Sequence, residues 1–272
     1  MNNKQNLHIH STYADGRDTP EEMIVEAINR GFDSIGFSEH TFMYFSDSTK
    51  QMKIENMDAY KAEILSLKEK YKGVIDVFCG LEFEYFSEVD ADGYDYLIGS
   101  LHYLYINDYP RGFDRSLEVT VDYLNTYFDG NAMKFAREYY KTISTLPTRG
   151  NFDIVGHFDL ITKNNEKGNF LDVSSKEYLD MAKEAIHALK GKIPLFELNT
   201  GCIPRGYRST PYPQPELLRE FYNCGFGVVI TSDCHNKNYI DTYFDEGTEL
   251  LKSVGFKSKY ILTSNGFKEV AL

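Results

Sequence analysis

The sequence lacks the features that mark membrane and secreted proteins. No apolar run approaches the ~20 residues that a helix needs to cross a bilayer. The first ten residues, MNNKQNLHIH, contain no basic segment followed by an apolar one, so we expect a cytoplasmic location and no membrane partner. The four cysteines are widely spaced and form no CxxC pair, which is typical of reduced thiols rather than of disulfides or a thiolate zinc site.

Clusters of basic residues are also missing. The chain has 29 lysine and arginine residues against 41 acidic ones, which gives a net charge of −12. Because such a chain repels phosphate backbones at long range, we expect no nucleic-acid partner. The sequence has no internal repeat, low-complexity tract or proline-rich linker either, so residues 1–272 are interpreted as a single domain.

What the sequence does contain is a short apolar run followed by an amphipathic stretch, repeated along the chain. Seven runs are predicted as buried strands, at residues 7–9, 34–38, 74–83, 96–101, 152–155, 193–198 and 226–232. A run at 260–263 is either an eighth strand or part of the C-terminal tail. Apolar strands that alternate with helices are typical of a parallel sheet with helices outside it. Seven such units favour an α/β barrel over an open sheet.

The first predicted helix has the clearest boundaries. Thr19 is placed to cap it, Pro20 to begin it and Glu22 to complete a capping box. Gly31 marks its end. Further helices are predicted at about 55–72, 115–146 (as two helices), 175–190, 215–224 and 243–254.

Six of the seven histidines fall within or just after the predicted strand ends, in the segments LHIH, FSEH, GSLH, VGH and TSDCH. In a parallel barrel these ends share one face. Imidazoles that are buried together need partners, and a shared metal is the simplest one. The six are His8, His10, His40, His102, His157 and His235. The seventh, His187, lies at the flank of a predicted helix and is interpreted as structural.

The spacing of these residues supports a shared site. His8 and His10 are two residues apart, so in a strand their side chains leave one face while Leu7 and Ile9 take the other. The segment DCH repeats that spacing in the last unit.

Carboxylates accompany the histidines. Glu82 lies in CGLEFE, Asp15 in ADGRD and Asp233 in TSDCH. Histidine with aspartate and glutamate, and without cysteine, is the ligand mixture of hydrolytic zinc, manganese or iron sites. The donors are too many for one tetrahedral ion, so we expect two or three ions.

Together, HIHSTYADG, SEH, GLEF, GSLH, GHFD and TSDCH resemble motifs of the PHP (polymerase and histidinol phosphatase) superfamily. Their order and spacing resemble its histidinol-phosphate phosphatase branch, from Leu7 to about Phe267. The resemblance implies a distorted (β/α)7 barrel that holds three divalent metal ions, of zinc, iron or manganese.

The resemblance also implies three sets of ligands, with Glu82 bridging the first two. The sets are His8, His10 and Asp233; His102 and His157; and His40, His235 and Asp15. Many relatives have aspartate where this chain has Glu39, so Glu39 is interpreted as a structural neighbour of the site.

The segment ELNTGCIPRGYRSTPYPQPELL resembles the same branch. It suggests Arg205 as a clamp for phosphate or for the carboxyl end of the substrate, and Asn199 as a residue that shapes the site. The alternative is a proline-rich turn with solvated arginines. Arg149, just before the fifth predicted strand, is a further basic candidate. Acidic residues such as Glu84 or Glu118 are candidates for holding the substrate's amine.

The implied reaction is hydrolysis of L-histidinol phosphate to L-histidinol and phosphate, a step of histidine biosynthesis. Water held between two metals would lose its proton near neutral pH and attack phosphorus. Asp233 and His235 are the candidate proton-transfer groups, and Asp233 is assigned to the proton of the water. Three divalent ions and three carboxylates leave a local charge of about +3, which would attract a dianionic ester to an acidic protein.

Two alternatives stay open. Another PHP phosphoesterase, such as a protein-tyrosine phosphatase or a nucleotide phosphoesterase, would use the same metal site. The lack of a basic groove argues against work on nucleic acid. A barrel that has lost its chemistry would still bind metal but would hydrolyse no ester.

Overall fold

The computed structural model describes residues 3–46 and 50–272. Its helices are α1 (Pro20–Asn29), α2 (Met57–Lys70), α3 (Leu117–Phe128), α4 (Ala132–Ile143), α5 (Asn165–Gly168), α6 (Lys176–Leu189), α7 (Pro215–Cys224) and α8 (Phe244–Val254). Its strands are β1 (Gln5–Asn6), β2 (Ser34–His40), β3 (Asp76–Glu84), β4 (Tyr96–Ser100), β5 (Tyr103–Ile106), β6 (Tyr109–Gly112), β7 (Ile154–Val155), β8 (Leu195–Asn199), β9 (Gly227–Thr231), β10 (Ser258–Thr263) and β11 (Gly266–Ala271).

Seven strands form one parallel sheet in the order β1-β2-β3-β4-β7-β8-β9. The first and last strands meet just beyond their ends, where Ile9 forms a parallel bridge with Cys234. The amide of His10 donates to the carbonyl of Cys234 at 3.0 Å, and the amide of Cys234 donates to that of His8 at 3.3 Å. The predicted seven-stranded α/β barrel is therefore confirmed, with helices around a nearly closed sheet.

The helices begin where the sequence indicates. Thr19 and Glu22 form the predicted capping box, because the Thr19 hydroxyl accepts from the Glu22 amide and the Glu22 carboxylate accepts from the Thr19 amide. The predicted pair of helices between 115 and 146 is α3 and α4. Asp129 and Gly130 separate them in the left-handed conformation, which ends α3. Among the described residues, no helix combines the length and apolar character that a bilayer span requires.

Two apolar cores lie on either side of the sheet. The larger core fills the space between the strands and the surrounding helices. The smaller one fills the interior of the barrel, and it consists of Leu7, Phe78, Tyr96, Ile98, Ile154, Leu195, Val229 and Leu262. The four cysteines form no disulfide, as expected from their spacing.

Tyr96 closes the barrel below the site. A Cβ at Gly36 would lie 2.6 Å from the Tyr96 hydroxyl, and one at Gly80 would lie 2.4 Å from its ring, so glycine makes room for the ring at both positions. The hydroxyl lies 2.5 Å from the carbonyl oxygen of Leu7 and 2.9 Å from that of Phe37. One buried side chain thus joins β4 to the first two strands of the barrel.

One local prediction differs from the structure, and the structure decides between two alternatives at another position. Leu7 does not share a face with Ile9, because β1 ends at Asn6 and the side chain of Asn6 accepts from the amide of His8 at 3.1 Å. Leu7 packs in the barrel interior and Ile9 in the outer core. The run at 260–263 belongs to the antiparallel hairpin of β10 and β11, so it is not an eighth barrel strand.

A second hairpin, formed by β5 and β6, was not predicted. It follows β4, and Asn107 and Asp108 turn it with φ values of 50° and 59°. Asparagine and aspartate tolerate this left-handed conformation, and two such residues in succession form the turn that a two-residue hairpin favours.

We expect the Tyr96→Phe variant to lose about 1–3 kcal/mol of unfolding free energy, because the two carbonyl groups would lose their buried donor while the ring stays in place. Urea unfolding measures the change. Tyr239→Phe is the matched control, since Tyr239 is 43% exposed. Equal stabilities of the two variants would show that the hydroxyl of Tyr96 does not join the strands.

Candidate active site

The predicted metal ligands converge at the carboxyl-terminal mouth of the barrel. His40 ends β2, Glu82 lies near the end of β3, and His102 follows β4 by two residues. The register pairs His40 directly with Glu82 across β2 and β3. The others lie just beyond the ends of β1, β7 and β9: His8, His10, Asp15, His157, Asp233 and His235. Parallel strands bring their ends to one face of a barrel, which is why residues so distant in sequence meet here.

Glu82 lies at the centre of this group and is 1% exposed. Its Oε1 is 2.7 Å from Nε2 of His157 and 3.4 Å from Nε2 of His102. Its Oε2 faces three further imidazoles, at 2.7 Å from Nδ1 of His40, 3.3 Å from Nε2 of His8 and 3.4 Å from Nε2 of His10. The two oxygens of one carboxylate therefore point to different sets of histidines, as a bridging ligand requires.

Two aspartates complete the group. Oδ1 of Asp233 lies 3.3 Å from Nε2 of His10 and 3.8 Å from Nε2 of His8. Oδ1 of Asp15 lies 3.1 Å from Nε2 of His235 and 3.7 Å from Nε2 of His40. Each aspartate faces a third imidazole as well, because His235 lies 3.6 Å from Asp233 and His10 lies 4.0 Å from Asp15.

These contacts define four overlapping sets of donors, and within each set the ligand atoms lie within 4.8 Å of one another. They are His8, His10 and Asp233; His8, Glu82 and His157; His40, Glu82 and His102; and His10, Asp15, His40 and His235. The first set and the last contain the ligands that the resemblance implies for two of the metals. The ligands implied for the second metal, His102 and His157, fall in different sets, each of which contains Glu82.

The donors fit divalent ions. His8 Nε2, both ring nitrogens of His10, Asp15 Oδ1, Glu82 Oε2 and His157 Nδ1 are buried and make no hydrogen bond within the described part of the chain. Buried polar atoms without partners are rare and costly. Imidazole and carboxylate are the ligands of hydrolytic zinc and related metals, so cations at this position would satisfy the group.

The electrostatics keep the carboxylates ionised but act differently on the individual imidazoles. Burial, together with the neighbouring imidazoles of His235 and His40, lowers the pKa of His10 to about 3, so its ring stays neutral. Burial opposes ionisation of Glu82 and Asp233. For Glu82, histidines led by His40 outweigh burial and hold its pKa well below the usual range. For Asp233, Arg205 and the histidines do the same. Burial works against protonation of His8, His40 and His157, but the facing carboxylates outweigh it and raise the pKa of these imidazoles, that of His40 to about 9. Because neutral imidazole and ionised carboxylate are the states that coordinate metal, a cation bound at these rings would displace their protons.

Glu197, on β8, supports this group from below and was missed by the sequence analysis. It is 1% exposed. Its Oε2 accepts from Nδ1 of His8 at 2.8 Å and from the hydroxyl of Thr231 at 2.7 Å. Its Oε1 accepts from the amide of His157 at 2.6 Å and from the side chain of Asn199 at 2.9 Å. Such a carboxylate fixes the ring tautomer of a ligating histidine and turns its other nitrogen to the metal.

Two more imidazoles are held in the same way. Glu84 accepts from both the amide and Nδ1 of His102, at 2.9 and 2.8 Å. Nδ1 of His235 donates to the carbonyl of Asp233 at 3.0 Å. In both cases Nε2 is left for the centre of the group.

A cleft above the histidines opens into a larger cavity of about 790 Å³. Arg205 lines the cleft and donates to Asp233 Oδ2 at 3.0 Å and to the carbonyl of Gly201 at 2.7 Å. Lys163 lines both spaces, and its Nζ lies 2.5 Å from Oδ1 of Asp114. Two anchored cations therefore face the space above the group.

Of the remaining predicted residues, some contact the site and others lie outside it. Asn199 also donates to Asp233 at 3.3 Å, so it links β8 to the site. Arg149 does not line the cleft or the cavity. Its Nε donates to the carbonyl of Tyr85, and its guanidinium stacks on that ring. Burial raises the pKa of Glu39 to about 8, although the amide and hydroxyl of Ser11 both donate to it. His187 lies at the surface, 2.7 Å from Glu220.

Residues that the sequence analysis missed carried partial signals. Glu197 precedes Asn199 by two residues in ELN, and period two places both on one face of a strand. Lys163 follows His157 by six residues, in the turn that leaves the barrel mouth. No pattern in the sequence distinguishes that lysine from others in its vicinity.

Comparisons with known proteins agree with this geometry. The PHP domain family matches residues 6–201. A protein of Deinococcus radiodurans named "Probable histidinol-phosphatase" is 27% identical over 249 residues, which cover 87% of this chain and 88% of that protein. The histidinol-phosphatase of Lactococcus lactis is 26% identical over 279 residues, which cover 97% of this chain and 96% of that protein.

A solved structure has the same fold. The histidinol phosphate phosphatase of Lactococcus lactis, crystallised with zinc, L-histidinol and phosphate, superposes with a TM-score of 0.75 at 22% identity. The match covers 98% of this chain and 99% of that one.

We expect Glu197→Gln to weaken metal binding by about 10- to 100-fold, because an amide cannot accept from His8, Thr231 and His157 together. Competition with a chromophoric chelator measures the affinity, and elemental analysis measures the metal that the purified protein retains. Asp153→Asn is the matched control, since Asp153 accepts from the Leu97 amide at the opposite end of the barrel. Metal binding by Glu197→Gln as tight as that of the control would remove the positioning role.

Proposed function

The chain belongs to the PHP domain family, and we propose that it is a metal-dependent phosphatase that hydrolyses L-histidinol phosphate to L-histidinol and inorganic phosphate. The observation that carries the proposal is the group of five imidazoles around Glu82, beneath a cleft lined by Lys163 and Arg205. Relatives that are named histidinol-phosphatases align with most of the chain and support the choice of substrate.

The proposed metal centre holds three divalent ions. His8, His10 and Asp233 would hold one, His102 and His157 a second, and His40, His235 and Asp15 a third, with Glu82 shared between the first two. When bound, such ions lower the pKa of coordinated water and neutralise the oxygens of a phosphoryl group.

Arg205 and Lys163 bind the phosphate group in this proposal. Both are already held by carboxylates, Arg205 by Asp233 and Lys163 by Asp114, so their positions need little reorganisation when an ester arrives. Fixed donors aimed at developing negative charge are the main source of catalysis in phosphoryl transfer.

Asp233 handles the protons, with His235 beside it. The depressed pKa of Asp233 keeps its carboxylate ionised near neutral pH, so it can accept a proton from the attacking water and return it to the departing alkoxide. His235 has Nδ1 held by the carbonyl of Asp233, so its Nε2 stays directed at the proposed metal. In the balanced reaction, water adds to phosphorus, the bond between phosphorus and the ester oxygen breaks, and the alcohol leaves protonated.

The cavity beside the cleft would hold the organic half of the ester, so the proposed partner is a small molecule and not a nucleic acid. The domain that does this chemistry spans residues 1–272 in our proposal. The cytoplasmic location stays a prediction.

A panel of phosphate monoesters tests the assignment. We expect kcat/KM for L-histidinol phosphate to exceed that for a phosphotyrosine peptide by at least about 100-fold, because a buried pocket discriminates by the contacts that each ester leaves unmade. Chelation should abolish the activity, and zinc, manganese, iron or cobalt should restore it. A preference for the peptide would favour the tyrosine-phosphatase alternative. Full activity after metal removal would contradict the metal centre, and no activity on any ester would favour a barrel without chemistry.

We expect Asp233→Asn to lower kcat by about 10²- to 10⁴-fold, because an amide cannot accept the proton of the attacking water. Asp233 has φ of 45°, a conformation that asparagine also tolerates, so the fold should remain intact. Steady-state kinetics and thermal unfolding are measured on the same preparation. Near-full activity of a folded variant would remove Asp233 from proton transfer.

A further inference from the structure

The cavity beside the cleft is larger than a small substrate needs. Its volume of about 790 Å³ lies in the upper part of the range for pockets that take drug-sized ligands. His40 and His102 lie at the end of the cavity that adjoins the metal ligands. Tyr103, Tyr109 and Arg111, from the β5–β6 hairpin, form part of its wall.

The acidic groups in this wall are already used. Glu84 is bonded to His102, and Asp114 is paired with Lys163. Arg111 and Arg115 also line the cavity, and within the described part of the chain neither guanidinium forms an ion pair with a carboxylate. The wall therefore presents positive charge that the protein does not itself neutralise.

Arg111 is held so that its donors stay available. Its guanidinium stacks on Tyr109, 4.8 Å from the ring centroid, and lies 5.8 Å from the centroid of Tyr127. Stacking occupies the flat face of the guanidinium, whereas its N–H groups point outward in the plane. Its Nε is buried and makes no hydrogen bond with the described residues. The terminal N–H groups, which are not buried, are therefore the donors that a ligand in the cavity would meet.

The charge of this wall contrasts with the rest of the molecule. A protein with a net charge of −12 places two arginines beside its candidate catalytic centre, and neither pairs with a carboxylate of residues 3–46 or 50–272. L-Histidinol carries an ammonium group and an imidazole, and neither attracts guanidinium as an anion does. Arginine forms its best contacts with carboxylate and phosphate, which accept two parallel N–H bonds.

We propose that Arg111, assisted by Arg115, forms a subsite for a second anionic group on the substrate. The ligand class is a phosphate monoester whose alcohol part also carries a carboxylate or a phosphate, hydrolysed in addition to L-histidinol phosphate. The proposal rests on the proposed phosphatase function. The reaction balances as before: water supplies the new oxygen on phosphorus, and the anionic alcohol leaves protonated at its ester oxygen.

Three matched esters test the subsite in the metal-loaded enzyme: phenyl phosphate, its para-carboxymethyl derivative and its para-aminoethyl derivative. We expect the carboxymethyl ester to have the highest kcat/KM. Arg111→Gln should lower the ratio of its kcat/KM to that of phenyl phosphate by about 10- to 100-fold, the usual effect of losing a charge-assisted contact. Arg111→Lys, which keeps the charge but not the planar fork, should retain part of the preference.

Arg137→Gln is the control variant, because Arg137 is 58% exposed and pairs with Glu177 outside the cavity. It should leave the ratio unchanged. An equal loss on all three esters in Arg111→Gln would show that Arg111 only supports the hairpin and would overturn the proposal. A wild-type preference for the aminoethyl ester would overturn it as well. Comparing kcat/KM for a bisphosphate ester with that for the carboxymethyl ester shows whether the subsite prefers phosphate or carboxylate as the second anion.

Product binding separates this inference from the proposed function. Calorimetry with para-hydroxyphenylacetate and with tyramine, each in the presence of inorganic phosphate, measures the subsite without turnover. We expect the acid to bind more tightly than the amine, and Arg111→Gln to remove the difference. If no ester is hydrolysed, the phosphatase proposal fails, while this binding difference still supports the anion subsite. Equal binding of acid and amine refutes the subsite even in an active enzyme.

Discussion

The structure depends on one buried carboxylate, that of Glu82. A charged group that is 1% exposed is expensive to bury unless it is fully compensated. Five imidazoles lie within 3.4 Å of its oxygens, and they come from the ends of β1, β2, β4 and β7. The strands must therefore assemble in one register for this carboxylate to be tolerated. The strand register that closes the barrel is therefore the one that brings the imidazoles to Glu82.

The barrel interior has two halves that serve this constraint. Its lower half is apolar and is filled by Tyr96, which glycines at 36 and 80 admit. The same two strands, β2 and β3, continue upward and place His40 opposite Glu82. Because side chains two residues apart share a face of a strand, small residues below and ligands above follow from one alternation. The packing of Tyr96 against these glycines thus fixes the positions of His40 and Glu82 further along the same strands.

The sequence predicts those parts of the site that strand periodicity controls. Seven apolar runs that alternate with amphipathic helices predicted the barrel, and histidines and carboxylates at the ends of those runs predicted the site at its mouth. Leu7 escaped prediction because the side chain of Asn6 ends the strand by capping the amide of His8, a local bond that periodicity does not include. Glu197 and Lys163 act through contacts between distant segments, which a single sequence does not encode as a pattern. The β5–β6 hairpin depends on two left-handed residues, Asn107 and Asp108, and Pro110 in β6 is a residue that usually argues against a strand.

Charge connects the acidic surface to an anionic substrate. Arg205 and Lys163 face the cleft, but each is paired with an aspartate, so pairing fixes their geometry while it reduces their net field. An attractive potential at the cleft must therefore come from groups whose charge is not already balanced. Divalent cations among the histidines would provide it on one side, and Arg111 and Arg115 provide it on the other side of the cavity. The paired cations are held in position, and the groups without a balancing charge supply the attraction. This division would let a chain with a net charge of −12 accept a dianionic phosphate ester.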